Sequence, residues 1–425
     1  MKIGIRKRSF FELVFPLTIV FFVCIGTKFV HAVGAVNLRW FFILLLFSYL
    51  FLNRKILSYL NSEWKTLILS YLVWCILTSL WSSLLFLSFS KSILFAFNII
   101  VLLSAGSLWV IKYGFERSSQ WLFLILIVAI VSGLLGGSSA DSFDSYGKFS
   151  LYSGLNGNAN DFGFLMAIVS PVIFLRLYQN KRKKFEFTVW FLFLLLDVHY
   201  LIQSYSRSSM VIFLCIFSCF ILSLSFSKKV LISLLSLFSI FVFLLMIPMS
   251  YWKGVVLNHI VKSNGTSENL TEKAVFQSRY SVWKQSLARA EKGGLIGAGF
   301  GVNINNHAFS GDALSGQISS KYKGEKGNSQ LAIIEETGII GFGLYLILII
   351  SLFGSAIPRY LQLKGVDRVV MGTMLGAIIG LLLESLVEGW WDSAAGPEVI
   401  CFWTFVGVIH GMIFLQKRKS HHTTV

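Results

Sequence analysis

The sequence predicts an all-α polytopic membrane protein, with about twelve transmembrane helices and one large extracytoplasmic loop that contains an amphipathic helix. Three observations carry that expectation. Apolar runs of about twenty residues recur along the whole 425-residue chain, the length a helix needs to cross the hydrocarbon of a bilayer. Charged residues make up 13% of the chain, against about 25% in soluble domains, while Phe alone supplies 40 residues. Finally, the apolar pattern is interrupted once at length, from Ser250 to Ser329, by a polar, Gly-rich segment far longer than the usual helix connection of about two to eight residues. A soluble enzyme, a disulfide-stapled secreted domain and a disordered tail protein are all excluded.

The apolar segments fall at 11–30, 38–52, 66–87, 92–111, 119–137, 159–178, 187–204, 208–226, 230–249, 330–352, 368–389 and 397–416. Each is expected to be helical, because lipid offers a backbone N–H or C=O no partner outside its own helix. Residues 1–249 then carry helices 1–9, residues 250–329 form the large outer loop, and residues 330–425 carry helices 10–12 and a tail. The basic start, Met1 to Arg8, resembles the charged end of a signal peptide, but no small-residue cleavage site follows it, so it is read as leading a retained first span. The 37 Lys and Arg exceed the 20 Asp and Glu, for a net charge of +17. They cluster between spans, as at Arg54 and Lys55, Lys181 to Lys184, Lys228 and Lys229, and Lys417 to Lys419. With an even number of spans these clusters share one side, so both termini are expected to be cytoplasmic and the basic charge needs no nucleic-acid partner. The five Cys all lie in apolar stretches without metal-ligand spacing, and neither a disulfide nor a metal site is expected.

Within the outer loop, Thr271 to Glu291 reads as an amphipathic helix, with Ala274, Val275, Val282, Trp283, Ser286, Leu287 and Ala290 mostly on one side. Charged groups inside spans come next, because each costs about 2.5–3.5 kcal/mol on insertion scales and demands a partner or a wet cavity. Arg207 stands at the outer turn between the seventh and eighth spans. Glu335 and Glu336 start the tenth span, and Glu384 and Glu388 end the eleventh. Asp197 and His199 fit either a proton relay or a packing pair. Arg207, Arg279 and Arg289 offer forked, permanently charged donors suited to a phosphate or diphosphate; the alternative is a headgroup contact for the first and solvated loop charges for the others. Gly293 to Gly301 reads as a tight backbone turn, and Gly338 to Gly343 as a place for close helix packing. Glu388-Gly389-Trp390-Trp391 sets aromatic faces beside a carboxylate, as a sugar site would, or an interfacial belt.

The order Tyr205-Ser206-Arg207-Ser208, Arg279-Tyr280-Ser281-Val282-Trp283, Gly297-Ala298-Gly299-Phe300-Gly301, Asn328-Ser329-Gln330-Leu331 and Glu336-Thr337-Gly338-Ile339-Ile340-Gly341 resembles the O-antigen ligase and O-antigen polymerase superfamily of bacterial envelope enzymes. The resemblance is carried by residues 200 to 345 and, elsewhere, by hydropathy alone. It implies a metal-independent, cofactor-free glycosyltransferase of the bacterial inner membrane. Its donor would be an undecaprenyl-diphosphate-linked glycan and its acceptor a second glycan, with a chain-length regulator or other envelope-assembly proteins as further partners. Arg207 and Arg279 match the family's donor-phosphate arginines, and the large loop would be periplasmic. The ligase-type His-Asn is replaced by Gly327-Asn328, which favours a polymerase over a ligase and leaves the general base open among Glu336, Glu325 and His307. Asn328, Trp283, Glu388 and Trp391 are the expected substrate-cavity residues. From another class, a lipid-linked oligosaccharide flippase would also use many spans and a basic cavity.

Overall fold

A computed structural model of the chain describes residues 10–28, 37–138, 152–224, 272–303, 326–391 and 393–422. Helices stand at eleven of the predicted apolar segments; the segment at 230–249 lies outside the described residues, as do His307, Glu325 and the side chain of Arg279. In chain order they are α1 Phe10–Val23, α2 Leu38–Leu52, α3 Ser62–Leu77, α4 Leu85–Tyr113, α5 Leu122–Leu135, α6 Ala159–Gln179, α7 Lys184–Gln203 and α8 Arg207–Ser223. After the amphipathic α9, Glu272–Gly293, come α10 Ser329–Gln362, α11 Gly365–Glu384 and α12 Pro397–His422. Eight helical segments among the described residues are long and apolar enough to cross a membrane, and α1, α2 and α8 are shorter apolar helices. A short antiparallel ribbon, β1 Gly137–Ser138 with β2 Tyr152–Gly154, joins α5 to α6.

Two predicted segments end differently from their hydropathy. The run 66–87 is not one helix: α3 stops at Leu77, a 3₁₀ turn spans Thr78–Trp81, and α4 starts at Leu85. The Thr78 and Ser79 hydroxyls donate to the carbonyls of Cys75 (2.7 Å) and Ile76 (2.6 Å), offering the backbone a local alternative to the helical ladder. The run 368–389 stops being helical at Glu384, and residues 385–391 form a turn that is central to the candidate site.

Helices α4, α6 and α12 are buried over most of their surface, whereas α7 and α10 leave most of theirs outside. The outward residues include Phe185, Leu192, Ile347 and Ile350, an apolar exterior suited to lipid rather than water. Glycine builds the closest seam. Gly372, Gly376 and Gly380, spaced by four along α11, lie against Ser223, Ile216 and Ile212 of α8; a Cβ on Gly376 or Gly380 would come within 2.7 Å of an isoleucine Cα. Without a hydrophobic drive between helices in lipid, such small residues provide association by letting backbones approach. Gly106 of α4 and Gly407 and Gly411 of α12 form a second seam of the same kind.

Candidate functional site

The two glycine stretches form a single device. Helix α10 is broken at Gly338, whose φ of 71° and ψ of −176° belong to glycine alone. The break frees backbone groups from the helical ladder, and the glycine loop after α9 satisfies them. Ala298 and Gly299 donate their amides to the Glu335 and Glu336 carbonyls at 2.9 and 3.0 Å, and Ile339 and Ile340 donate to Gly294 and Leu295 at 3.0 and 3.2 Å. The Trp74 indole donates to the Thr337 carbonyl at 2.8 Å, and the Trp81 indole to Gly297 at 3.0 Å. Side chains at Gly297 or Gly338 would run into the facing backbone, which explains glycine at both positions. The second stretch therefore opens a helix rather than merely thinning one for packing.

This interlock orients two carboxylates. Glu336 is 1% exposed; its Oε2 accepts the Gly301 amide at 2.8 Å and its Oε1 pairs with the Lys326 ammonium. Lys326 Nζ also lies 3.9 Å from Glu335 Oε2, and Lys91 donates to the Gly301 carbonyl at 2.7 Å. Glu335 and Glu336 do not cap the start of α10. Asn328 does, its Oδ1 accepting the Leu331 amide at 2.9 Å, as expected of a side chain outranking distant carboxylates at an N-cap.

A chain of hydrogen bonds connects this helix start to the arginine turn. Asn328 Nδ2 donates to the Leu386 carbonyl (2.7 Å), the Ser329 amide to Ser385 (2.8 Å), and the Ser329 hydroxyl to Glu388 (2.9 Å). The turn after α11 is thus clasped to the foot of α10. At the end of α11, the Glu384 carboxylate is reached by the Ser208 side chain. Ser208 follows Arg207, the first residue of α8. The preceding Tyr205 takes φ 53°, unusual for a tyrosine, and the serine turn sits on Gly163 of α6, where a Cβ would meet Ser204 Oγ at 2.6 Å. Backbone geometry, not side-chain preference, thereby sets where Arg207 begins its helix.

Helix α9 runs beside the first half of α10. Trp283 donates to the Gly327 carbonyl at 3.0 Å, and ten residues on, Gly293 lies against Ile334 and Glu335. Arg279 precedes Trp283 by one helical turn. Arg289 is 5% exposed; one terminal nitrogen donates to Gln285 at 3.1 Å, while its Nε and Nη1 have no hydrogen-bond partner among the described residues. The neighbouring Ser286 hydroxyl is similarly buried and has no partner among the described residues.

Of the residues expected to form the site, Arg207, Trp283, Arg289, Asn328, Glu336 and Glu388 thus fall on elements that are bonded or packed to one another. Trp391 is 1% exposed, donates to Tyr71 Oη at 2.7 Å and packs edge-on to Tyr345, so its ring belongs to the aromatic core rather than to an open face. Asp197 and His199, two residues apart on α7, point to different faces; the Asp197 carboxylate accepts from Ser170 of α6 at 3.3 Å. Lys326 carries no signal of its own in the sequence, and Glu384 shows only as one of two glutamates at the end of a span; an ionisable residue within an apolar run is the signal that marks the latter. Among the described residues, no group of three or more His, Cys, Asp or Glu is arranged to hold a metal ion. A scan against protein-family models gives no match to this chain, and a search of curated proteins gives none either.

Proposed function

We propose that the protein is a membrane glycosyltransferase of bacterial surface-polysaccharide synthesis, polymerising undecaprenyl-diphosphate-linked oligosaccharide repeats. In this reading the chain spans the inner membrane about twelve times with both termini cytoplasmic, and α9 and its flanking loop lie on the periplasmic side. The observation that carries the reading is Arg289, a buried guanidinium with two nitrogens unpartnered among the described residues, on a helix packed against the start of α10. A cation held dry with unused donors is arranged to receive an anion, and a diphosphate fits its forked geometry. Arg207, at the head of α8, and Arg279, on α9, are the further cations of the same site. As the glycosyl–phosphate bond breaks, negative charge grows on the departing diphosphate, and preorganised guanidinium groups stabilise it more then than before. Polymerisation is favoured over ligation because Gly327 stands where ligases carry histidine.

The test is reconstitution in proteoliposomes with the lipid-linked oligosaccharide that accumulates in cells lacking the gene. The wild-type protein is expected to lengthen the glycan, and Arg207→Ala and Arg289→Ala to abolish lengthening. Transfer to a second acceptor without lengthening would indicate a ligase, and movement of intact donor across the bilayer a flippase.

A further inference from the structure

Helix α8 carries a groove on its outer surface. A cavity of about 240 Å³ is lined by Val211, Leu214, Cys215, Ser218 and Cys219 of α8 and by Ile379 of α11. Its shape follows from residue size and from the glycine seam. The small side chains at 215, 218 and 219 leave room that the larger Val211, Leu214 and Ile379 border, and Gly376 lies against Cys215 and Cys219, which draws Ile379 to the edge. Val211, Leu214 and Ser218 are exposed, so the groove opens on the apolar exterior rather than into the bundle. It is also aligned with Arg207. Positions 207, 211, 214, 215 and 218 recur at steps of three and four along α8 and so share one face of the helix. At about 1.5 Å per residue, the groove starts about 6 Å from the arginine along the axis and continues for about 12 Å. A ligand of this face has an anionic end followed by a long apolar one.

We propose that this groove holds the segment of the donor's isoprenoid chain nearest the diphosphate. The assignment rests on the glycosyltransferase reading above, in which Arg207 binds the diphosphate at the outer end of α8. Bulk lipid is as apolar as the groove, so burial from water does not draw the chain in; packing against a matching concave wall does. A chain whose diphosphate is already held at Arg207 meets that wall at a high effective concentration, whereas the acyl chain of a passing phospholipid has no such tether. Headgroup clamp and groove together fix the direction in which the lipid leaves the site, down α8 and along α11.

The full-length protein in bilayers is irradiated with an undecaprenyl diphosphate that bears a diazirine in the isoprenoid segment next to the diphosphate, and the adducts are mapped by mass spectrometry. They are expected on residues 211–219 and Ile379, to vanish with excess unlabelled undecaprenyl diphosphate and to persist with the same excess of phosphatidylglycerol. Adducts spread over lipid-facing helices such as α7, or competition by phosphatidylglycerol as well, would overturn the assignment; the second result makes the groove a seat for anionic lipids in general. In the proteoliposome assay, Ser218→Phe fills the groove from an exposed position. It is expected to raise KM for the donor about tenfold, a loss that van der Waals packing over one chain segment accounts for, with kcat and melting temperature at wild-type values. Leu192→Phe, on the exposed face of α7, is the control. Equal KM values for the two variants would also overturn the assignment. Glycan transfer with adducts elsewhere leaves the enzymatic reading standing without the groove, whereas adducts in the groove without any transfer by the wild-type protein overturn the enzymatic reading and leave a site for a polyprenyl diphosphate.

Discussion

Gly338→Ala tests the interlock on which the site is built. The residue has φ 71° and ψ −176°, a conformation that costs any residue with a Cβ about 1–3 kcal/mol, and the new methyl group would point into the Leu295 carbonyl. Relief requires the glycine loop to retreat, which breaks the bonds from Ile339 to Gly294 and from Ile340 to Leu295, each worth about 0.5–1.5 kcal/mol. Together the loss is about 2–6 kcal/mol. The matched control is Gly343→Ala, five residues further along α10, where an added Cβ meets nothing within 4 Å. There alanine is expected to stabilise by up to about 1 kcal/mol through helix propensity. Thermal unfolding in detergent reads the difference: a chain this long shifts by about 1 °C per kcal/mol, so Gly338→Ala should melt several degrees below its control. Equal melting of the two variants, or Gly338→Ala the higher, would refute the claim that the break in α10 depends on glycine.

Lys326→Met and Glu336→Gln are each expected to destabilise by about 3–5 kcal/mol, because each strands a buried partner, while the double variant recovers most of the loss; strictly additive effects in a double-mutant cycle would contradict the pairing. Gly380→Leu is expected to wedge α8 from α11 at Ile212 and cost at least about 1–3 kcal/mol, seen as a lower yield of monodisperse protein in gel filtration. Arg289→Ala should lose glycan transfer yet melt at or above the wild-type temperature, since it removes a buried charge lacking a full set of partners; a lower melting temperature would mean that the guanidinium serves packing.

Much of the helical frame was legible because lipid makes hydropathy nearly synonymous with helix. Leu38–Leu52 has the boundaries its apolar run implies, and α9 occupies Glu272–Gly293 where periodicity places an amphipathic helix at Thr271 to Glu291. Hydropathy fails where a hydroxyl or a glycine redirects the backbone without changing the average. Thr78 and Ser79 thus split one apolar run into two helices, and Gly338 breaks α10 inside an apolar stretch. The candidate site was legible as residue types, since buried charge is rare enough to be conspicuous, but not as partnerships. Nothing in the spacing of Lys326, Gly301 and Glu336 indicates that they meet.

What the sequence by itself determined is the solvent: composition and repeated apolar length demand lipid, and lipid demands helices whose backbones are internally satisfied. What only the tertiary structure decided is which carboxylates are already occupied. Glu336 is held by Lys326 and an amide from a loop 35 residues away, while Glu384 keeps an oxygen unpartnered among the described residues. That distinction is one of hydrogen-bond partners contributed by distant segments, and such partners are chosen by packing rather than by local sequence.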